Sequence, residues 1–193
     1  ALADEIYNIF GLHVDGYLSV RLEALTQIID TFGGIKVYVP QEMDYGGSHL
    51  SQGYQTMDGA AAEFFLRTRH IYADSDLGRL RMQRYFYAAL FARMRSMTVW
   101  DIAKLLPVIT SQMETDLSST ELVSVAVSML KISSSNIMFC QIPVYMGQAI
   151  SYNGNSTVVV ARQETADLLN EYFRENTGPV DASQLNIAGD DGL

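Results

Sequence analysis

The segment from Leu22 to Pro40 constrains the fold more than any other. Leu22, Leu25, Ile28, Ile29 and Phe32 recur at spacings of three and four, which marks one apolar helix face, and the series stops at Gly33-Gly34. Directly afterwards Ile35-Lys-Val-Tyr-Val39 alternates and is closed by Pro40, which predicts a strand. A helix and a strand joined by so short a connection bury their apolar faces in one core, so the chain belongs to the α/β class.

The same alternation of element types recurs along the chain. A helix over residues 2 to 11 stops at Gly11 and leads into an extended piece from His13 to Val20. Gln41 to Gln55, with Gly46-Gly47 and Gly53, reads as a long loop holding at most a short strand, and loops of that length near strand ends often carry function. Helices are predicted over Thr56 to Leu66, Asp76 to Met97, Val99 to Met113 and Ser118 to Leu130, the last with a Ser118/Glu121 capping box. Strands at 137 to 142 and 156 to 160 and a helix from Gln163 to Phe173 follow. The architecture this predicts is a layered α-β-α sandwich with a central mixed sheet over residues 1–175, and a loose polar tail over 176–193. Few strands stand against many helices, and the chain opens on a helix, so N-terminal strands of the complete domain are expected to be missing from this sequence.

Apolar residues make up 48 % and charged residues 18 % of the chain, the composition of an ordinary globular domain rather than of a disordered chain or a coiled coil. The one cysteine rules out an internal disulfide; Cys140 sits within the predicted strand Ile137 to Ile142 and is expected to be a packed thiol. No stretch of eighteen apolar residues is present, and the sequence opens on Ala1 rather than Met, with no basic or apolar leader pattern in the residues that follow it.

Net charge is -9, which repels a polyanion and argues against a general nucleic-acid binder. The charge is unevenly placed. Between Arg67 and Arg95 lie seven arginines, no lysine and only Asp74 and Asp76, so the segment carries +5 inside a protein whose remainder carries -14. Arginine suits bidentate recognition of phosphate or carboxylate; the plainer reading is a solvated arginine face on a helix. Arg67-Thr-Arg69 follows the predicted helix ending at Leu66, and two arginines at i and i+2 share a direction only where the chain has become extended. The pair is thus either a convergent fork or two unrelated surface groups. Asp76, Arg79 and Gln83, at i, i+3 and i+7, form one stripe at the start of the long helix, where free N–H groups also favour an anion. Asp76 equally suits a plain helix cap. Asp74 and Asp76 can share a divalent ion, a weak signal by spacing alone.

These pieces in order, Asp30-Thr-Phe-Gly33-Gly34 before the strand closed by Pro40, then Met43-Asp-Tyr45, Met57-Asp-Gly59, Arg67-Thr-Arg69, Asp76-Leu-Gly78-Arg79 and Gln83, resemble the LytR-CpsA-Psr family over residues 25 to 95. The resemblance implies an extracytoplasmic phosphotransferase of Gram-positive-type bacteria, held by an upstream membrane anchor. It implies transfer of a glycopolymer, such as teichoic acid or capsular polysaccharide, from a polyprenyl pyrophosphate carrier to peptidoglycan. By position, Arg67, Arg69, Arg79 and Gln83 correspond to residues gripping the pyrophosphate, and Asp76 to a carboxylate of that site, so Asp76 and Arg79 are the candidate catalytic pair. Asp76 either assists deprotonation of the acceptor hydroxyl or orients an arginine; a carboxylate flanked by arginines makes a poor base, which favours orientation. Mg²⁺ is the implied cofactor, although its usual ligands lie in a portion with no counterpart in this chain. The older family label, transcriptional attenuator, is not supported by the acidic balance. A catalytically inactive module holding a polyprenyl phosphate or a wall glycan is the alternative. Tyr85, Phe86, Tyr87, Leu90 and Phe91, with Leu122, Val125, Ala126 and Met129, are candidates to line a slot for the polyprenyl tail, with ordinary core packing as the default for most.

Overall fold

A computed structural model describes residues 2–152 and 155–187 of the chain. These residues form two units, one from Gly16 to Phe139 and one joining the residues up to Asp15 to those from Cys140 onward.

In the first unit, α2 (Leu22–Thr31) buries Ala24, Ile28 and Ile29 and ends at Phe32. Gly33 and Gly34 then take positive φ angles of 72° and 100°, and their N–H groups donate to Asp30 O (3.0 Å) and Ile29 O (2.9 Å). This pair of hydrogen bonds is a Schellman closure, which is why two glycines stand there. The chain re-emerges as β2 (Ile35–Val39), burying Ile35, Val37 and Val39 and leaving Lys36 and Tyr38 outside, and pairs antiparallel with β5 (Gly53–Met57). Between them β3 (Met43–Tyr45) and β4 (Ser48–Leu50) form a hairpin around Gly46-Gly47, both at positive φ. The stretch expected as a long loop is thus mostly strand: a two-residue turn of two glycines fits the twist of a hairpin, and Met43 and Leu50 bury the side that faces the core.

The helix expected from Thr56 begins later, as α3 (Gly59–Arg67), because Gly53–Met57 is held in the ladder and Asp58 caps the helix, accepting from Ala61 N at 2.8 Å. Gly59 leaves no room for a side chain: a Cβ there would stand 2.6 Å from Thr26 O and 2.8 Å from Asp30 Oδ2, and its N–H donates to Asp30 Oδ1 at 2.7 Å. The core joins Ile29, the inner residues of β2, Met57, Ala62, Phe65 and Phe86 of the long helix α4 (Asp76–Arg95). Phe86 is therefore core, with Tyr85 and Leu90 packed against it, whereas Tyr87 is 40 % exposed. Helices α5 (Val99–Gln112) and α6 (Ser119–Lys131) follow, separated by β6 (Met113–Thr115), which pairs antiparallel with β1 (Leu18–Val20). The capping box of α6 forms as expected, but Val125 points outward and Leu122, Ala126 and Met129 are only half-buried.

In the second unit, α1 (Leu2–Phe10), the hairpin of β7 (Val144–Tyr152) with β8 (Asn155–Val160), and α7 (Arg162–Tyr172) surround a smaller core of Ala166, Leu169, Leu185 and Ile187. The tail expected to be loose from Asn176 is thus docked as far as Ile187, since Leu185 and Ile187 are buried and Asn170 holds Val180 through both N–H and carbonyl at 2.9 Å. Residues 137 to 142 pair with no strand; the strand begins at Val144, and Cys140 is exposed rather than packed. The mixed α/β class holds. In place of one central mixed sheet, the described residues show four two-stranded antiparallel ladders.

Candidate functional site

The arginine fork depends on one buried residue. Helix α3 ends at Arg67, and Thr68 turns extended (φ -66°, ψ 124°) with 7 % of its surface exposed. Residues on either side of a buried, extended residue project the opposite way, so Arg67 and Arg69 face outward together. Arg79, one turn into α4, approaches the same place. The three arginines line a cleft of about 630 Å³, with Tyr45 and Ser48 of the β3–β4 hairpin, Ala60, Glu63 and Phe64 of α3, and His70 completing the wall. The convergent alternative, left open by spacing alone, is the one the fold adopts.

Within the cleft two of the three guanidinium groups have partners. Arg67 Nη1 lies 2.8 Å from Glu63 Oε1, one helical turn back, and Arg79 Nη2 lies 2.8 Å from Asp76 Oδ1. Arg69 is exposed, and among the described residues no ion pair engages it. Arg79 is the most enclosed; its Nε is buried and finds no acceptor, leaving a donor whose isolation costs about 1–3 kcal/mol. Glu63 is the only carboxylate in the wall, so the cleft is cationic overall.

Asp76 does not cap α4. The N-cap is Ser75, at a positive φ of 48°, and Asp76 occupies the first helical position with its carboxylate on Arg79. That strained turn is seated by Gly78, where a Cβ would stand 2.4 Å from Tyr72 Cβ. Tyr72 is in turn buried against Met43, and burial pushes its hydroxyl above the ordinary range. Asp74 is held by Arg81, whose hydrogen bond keeps the carboxyl below its usual range, and Asp74 reciprocally raises Arg81. Gln83 is not in the wall: its Nε2 donates to Leu66 O at 3.0 Å, tying α4 to the end of α3 just before the arginine fork.

The remaining arginines of the positive segment serve other contacts. Arg84 lies over the Tyr85 ring, Arg93 donates to Ser96 Oγ, and Arg95 borders a separate small apolar pocket with Phe91 and Phe139. Spacing had not marked Tyr45, Ser48, Glu63 or His70. The Gly46-Gly47 pair was the available signal for the first two, since a glycine pair between polar strands is a hairpin signature.

A model of the LytR_cpsA_psr family matches residues 1–174. The chain is 27 % identical over 183 residues to the cell wall biosynthesis protein LcpA of Corynebacterium glutamicum, covering 92 % of this chain and 34 % of that protein. It is 32 % identical over 114 residues to the polyisoprenyl-teichoic acid–peptidoglycan teichoic acid transferase TagU of Oceanobacillus iheyensis, covering 58 % of this chain and 36 % of the relative. The chain therefore spans about a third of the length of these curated relatives. Among solved structures, an Enterococcus faecalis protein described as a transcriptional regulator superposes with a TM-score of 0.77 at 20 % identity, over 94 % of this chain and 67 % of that one. TagT bound to LIIa-WTA superposes with a TM-score of 0.70 at 18 % identity, over 88 % and 64 % respectively.

Proposed function

The chain belongs to the LytR_cpsA_psr family, and from that membership we propose that its arginine cleft binds the diphosphate of a polyprenyl-linked glycopolymer during transfer of the polymer to peptidoglycan. The single observation that carries the reading is the convergence of Arg67, Arg69 and Arg79 on one cationic cleft. Diphosphate departure spreads negative charge over oxygens, and positioned guanidinium groups stabilise it without covalent catalysis. Arg69, exposed and unpaired among the described residues, is free to meet the ligand first. Arg79, fixed by Asp76, offers a preorganised fork, and the Asp76 contact makes that carboxylate a positioning group rather than a base. Gln83 acts from behind, holding the chain before Arg67, instead of gripping phosphate itself.

Among the described residues, no set of side chains fits a Mg²⁺ site. Asp74 and Asp76, whose spacing is only a weak metal signal, are each paired with an arginine, and the described residues contain no group of three or more metal-ligating side chains. That same pairing favours a binding-only role for this portion as a second reading; Mg²⁺-dependent release of a glycopolymer from its carrier by this chain would exclude it.

The relatives' roles in cell wall biosynthesis and teichoic acid transfer support a place at the extracytoplasmic face. Among the described residues no helix is long and apolar enough to cross a membrane. A net charge of -9 speaks against a DNA-binding attenuator.

The test is titration of inorganic pyrophosphate into the chain and its Arg79→Ala variant. A charge-assisted hydrogen bond contributes roughly 1.5–3 kcal/mol, so the variant should bind about 10- to 100-fold more weakly. Melting should shift little. Unchanged affinity would remove the cleft from the headgroup.

A further inference from the structure

We propose that Tyr45 and His70 form an aromatic shelf through which the arginine cleft selects a glycosyl phosphate over a bare phosphate, the pyranose ring stacking on Tyr45 while its phosphate meets the guanidinium groups. The inference rests on the phosphate-binding reading of the cleft.

Tyr45 ends β3 immediately before the Gly46-Gly47 turn, and His70 follows Arg69, so separate parts of the chain bring the two rings together. Their centroids are 5.1 Å apart and their planes inclined by 22°, a stacked pair. The pair does not belong to a core. Tyr45 is 48 % exposed and His70 is exposed, yet both line the cleft that holds the three arginines. His70 backs one face of Tyr45, which fixes the orientation of a ring that would otherwise rotate freely at a hairpin end.

The cleft is also larger than a diphosphate requires. About 630 Å³, open to solvent, leaves room for a further group beside the phosphates. Its lining is divided between Arg67, Arg69 and Arg79 on one hand and the Tyr45 and His70 rings on the other, with the Ser48 side chain registered directly opposite Tyr45 across the hairpin. A sugar 1-phosphate matches this division: a charged group, an apolar CH face for the ring, and hydroxyls for Ser48. A nucleotide would also stack. However, a flat base gains most when sandwiched between two rings, whereas here one face of Tyr45 is already taken by His70 and a pyranose CH face needs only the other.

The experiment compares N-acetylglucosamine 1-phosphate, inorganic phosphate and uridine monophosphate by calorimetric titration into the chain and its Tyr45→Ala, Tyr45→Phe and Arg79→Ala variants. The expected result is about a tenfold preference for the sugar phosphate over phosphate, kept by Tyr45→Phe. In Tyr45→Ala that preference should fall to within about twofold of parity. A preference that survives Tyr45→Ala, or one absent from the unaltered chain while phosphate binding still needs Arg79, overturns the shelf and leaves the phosphate cleft standing. Tighter, Tyr45-dependent binding of uridine monophosphate overturns it in favour of a nucleotide. Absence of any Arg79-dependent phosphate binding overturns both readings.

Discussion

Substitution of Gly78 by alanine separates packing from propensity at the entrance to the cleft. In an unconstrained helix interior, glycine to alanine stabilises by about 1 kcal/mol. At position 78 the added methyl would stand 2.4 Å from Tyr72 Cβ, 2.6 Å from Tyr72 Cγ and 2.7 Å from Asp74 Oδ1. Two of these atoms lie at the root of a buried side chain and cannot swing aside. Relieving such overlap in a packed region costs about 1–3 kcal/mol, and more when the obstacle is near the backbone. After the propensity gain is deducted, a net loss of up to about 2 kcal/mol remains, which for a chain of this size lowers Tm by up to roughly 8 °C. Because the displaced turn carries Asp74, Ser75 and Asp76 into α4, pyrophosphate affinity should fall as well. Thermal melting followed at 222 nm and calorimetric titration read the two effects. A variant that melts at a higher temperature and binds pyrophosphate normally would refute the reasoning, since it would mean that Tyr72 is not seated on Gly78.

Other perturbations probe separate contacts. Glu63→Gln removes the one carboxylate in the cleft wall and releases Arg67; pyrophosphate should bind several-fold more tightly while stability changes by less than about 0.5 kcal/mol, as for an exposed i,i+4 pair, and weaker binding would show that Glu63 helps to hold the ligand. Asp74 is held below its ordinary value of 3.8 chiefly by the Arg81 hydrogen bond, so its contribution to stability is present above that value and is lost as pH falls through the lower folded value. Urea unfolding at pH 7 and pH 3 should therefore show a smaller acid-induced loss for Asp74→Asn than for the unaltered chain, and equal losses would deny the coupling. The exposed Cys140 should react with a thiol reagent in the folded protein as fast as after denaturation, whereas a strongly protected thiol would mean that it is packed.

Much of the fold could be read in the linear order of residues because it is governed by local rules. The Gly33-Gly34 stop, the alternating strand closed by Pro40, the capping box at Ser118 and the long helix from Asp76 each follow from interactions within a few residues. Residues 137 to 142 show the limit of that logic: they have the composition of a buried strand, but among the described residues no strand pairs with them, and a ladder cannot form without a partner. The hairpin at Gly46-Gly47 failed in the opposite direction, since its glycines resembled loop composition although their positive φ angles made a strand turn.

The kinds of side chain available for chemistry were determined by the sequence alone, as were the clustering of arginine between Arg67 and Arg95 and the helix that presents Asp76 and Arg79 one turn apart. Tertiary structure decided which arginines meet. Burial of Thr68 aims Arg67 and Arg69 together, the seating of Tyr72 on Gly78 brings α4 to them, and the hairpin adds Tyr45 from a stretch that spacing marked only as loop. Charge and periodicity are properties of neighbours along the chain, whereas convergence is set by packing between distant segments, and packing depends on volumes that no one-dimensional pattern records.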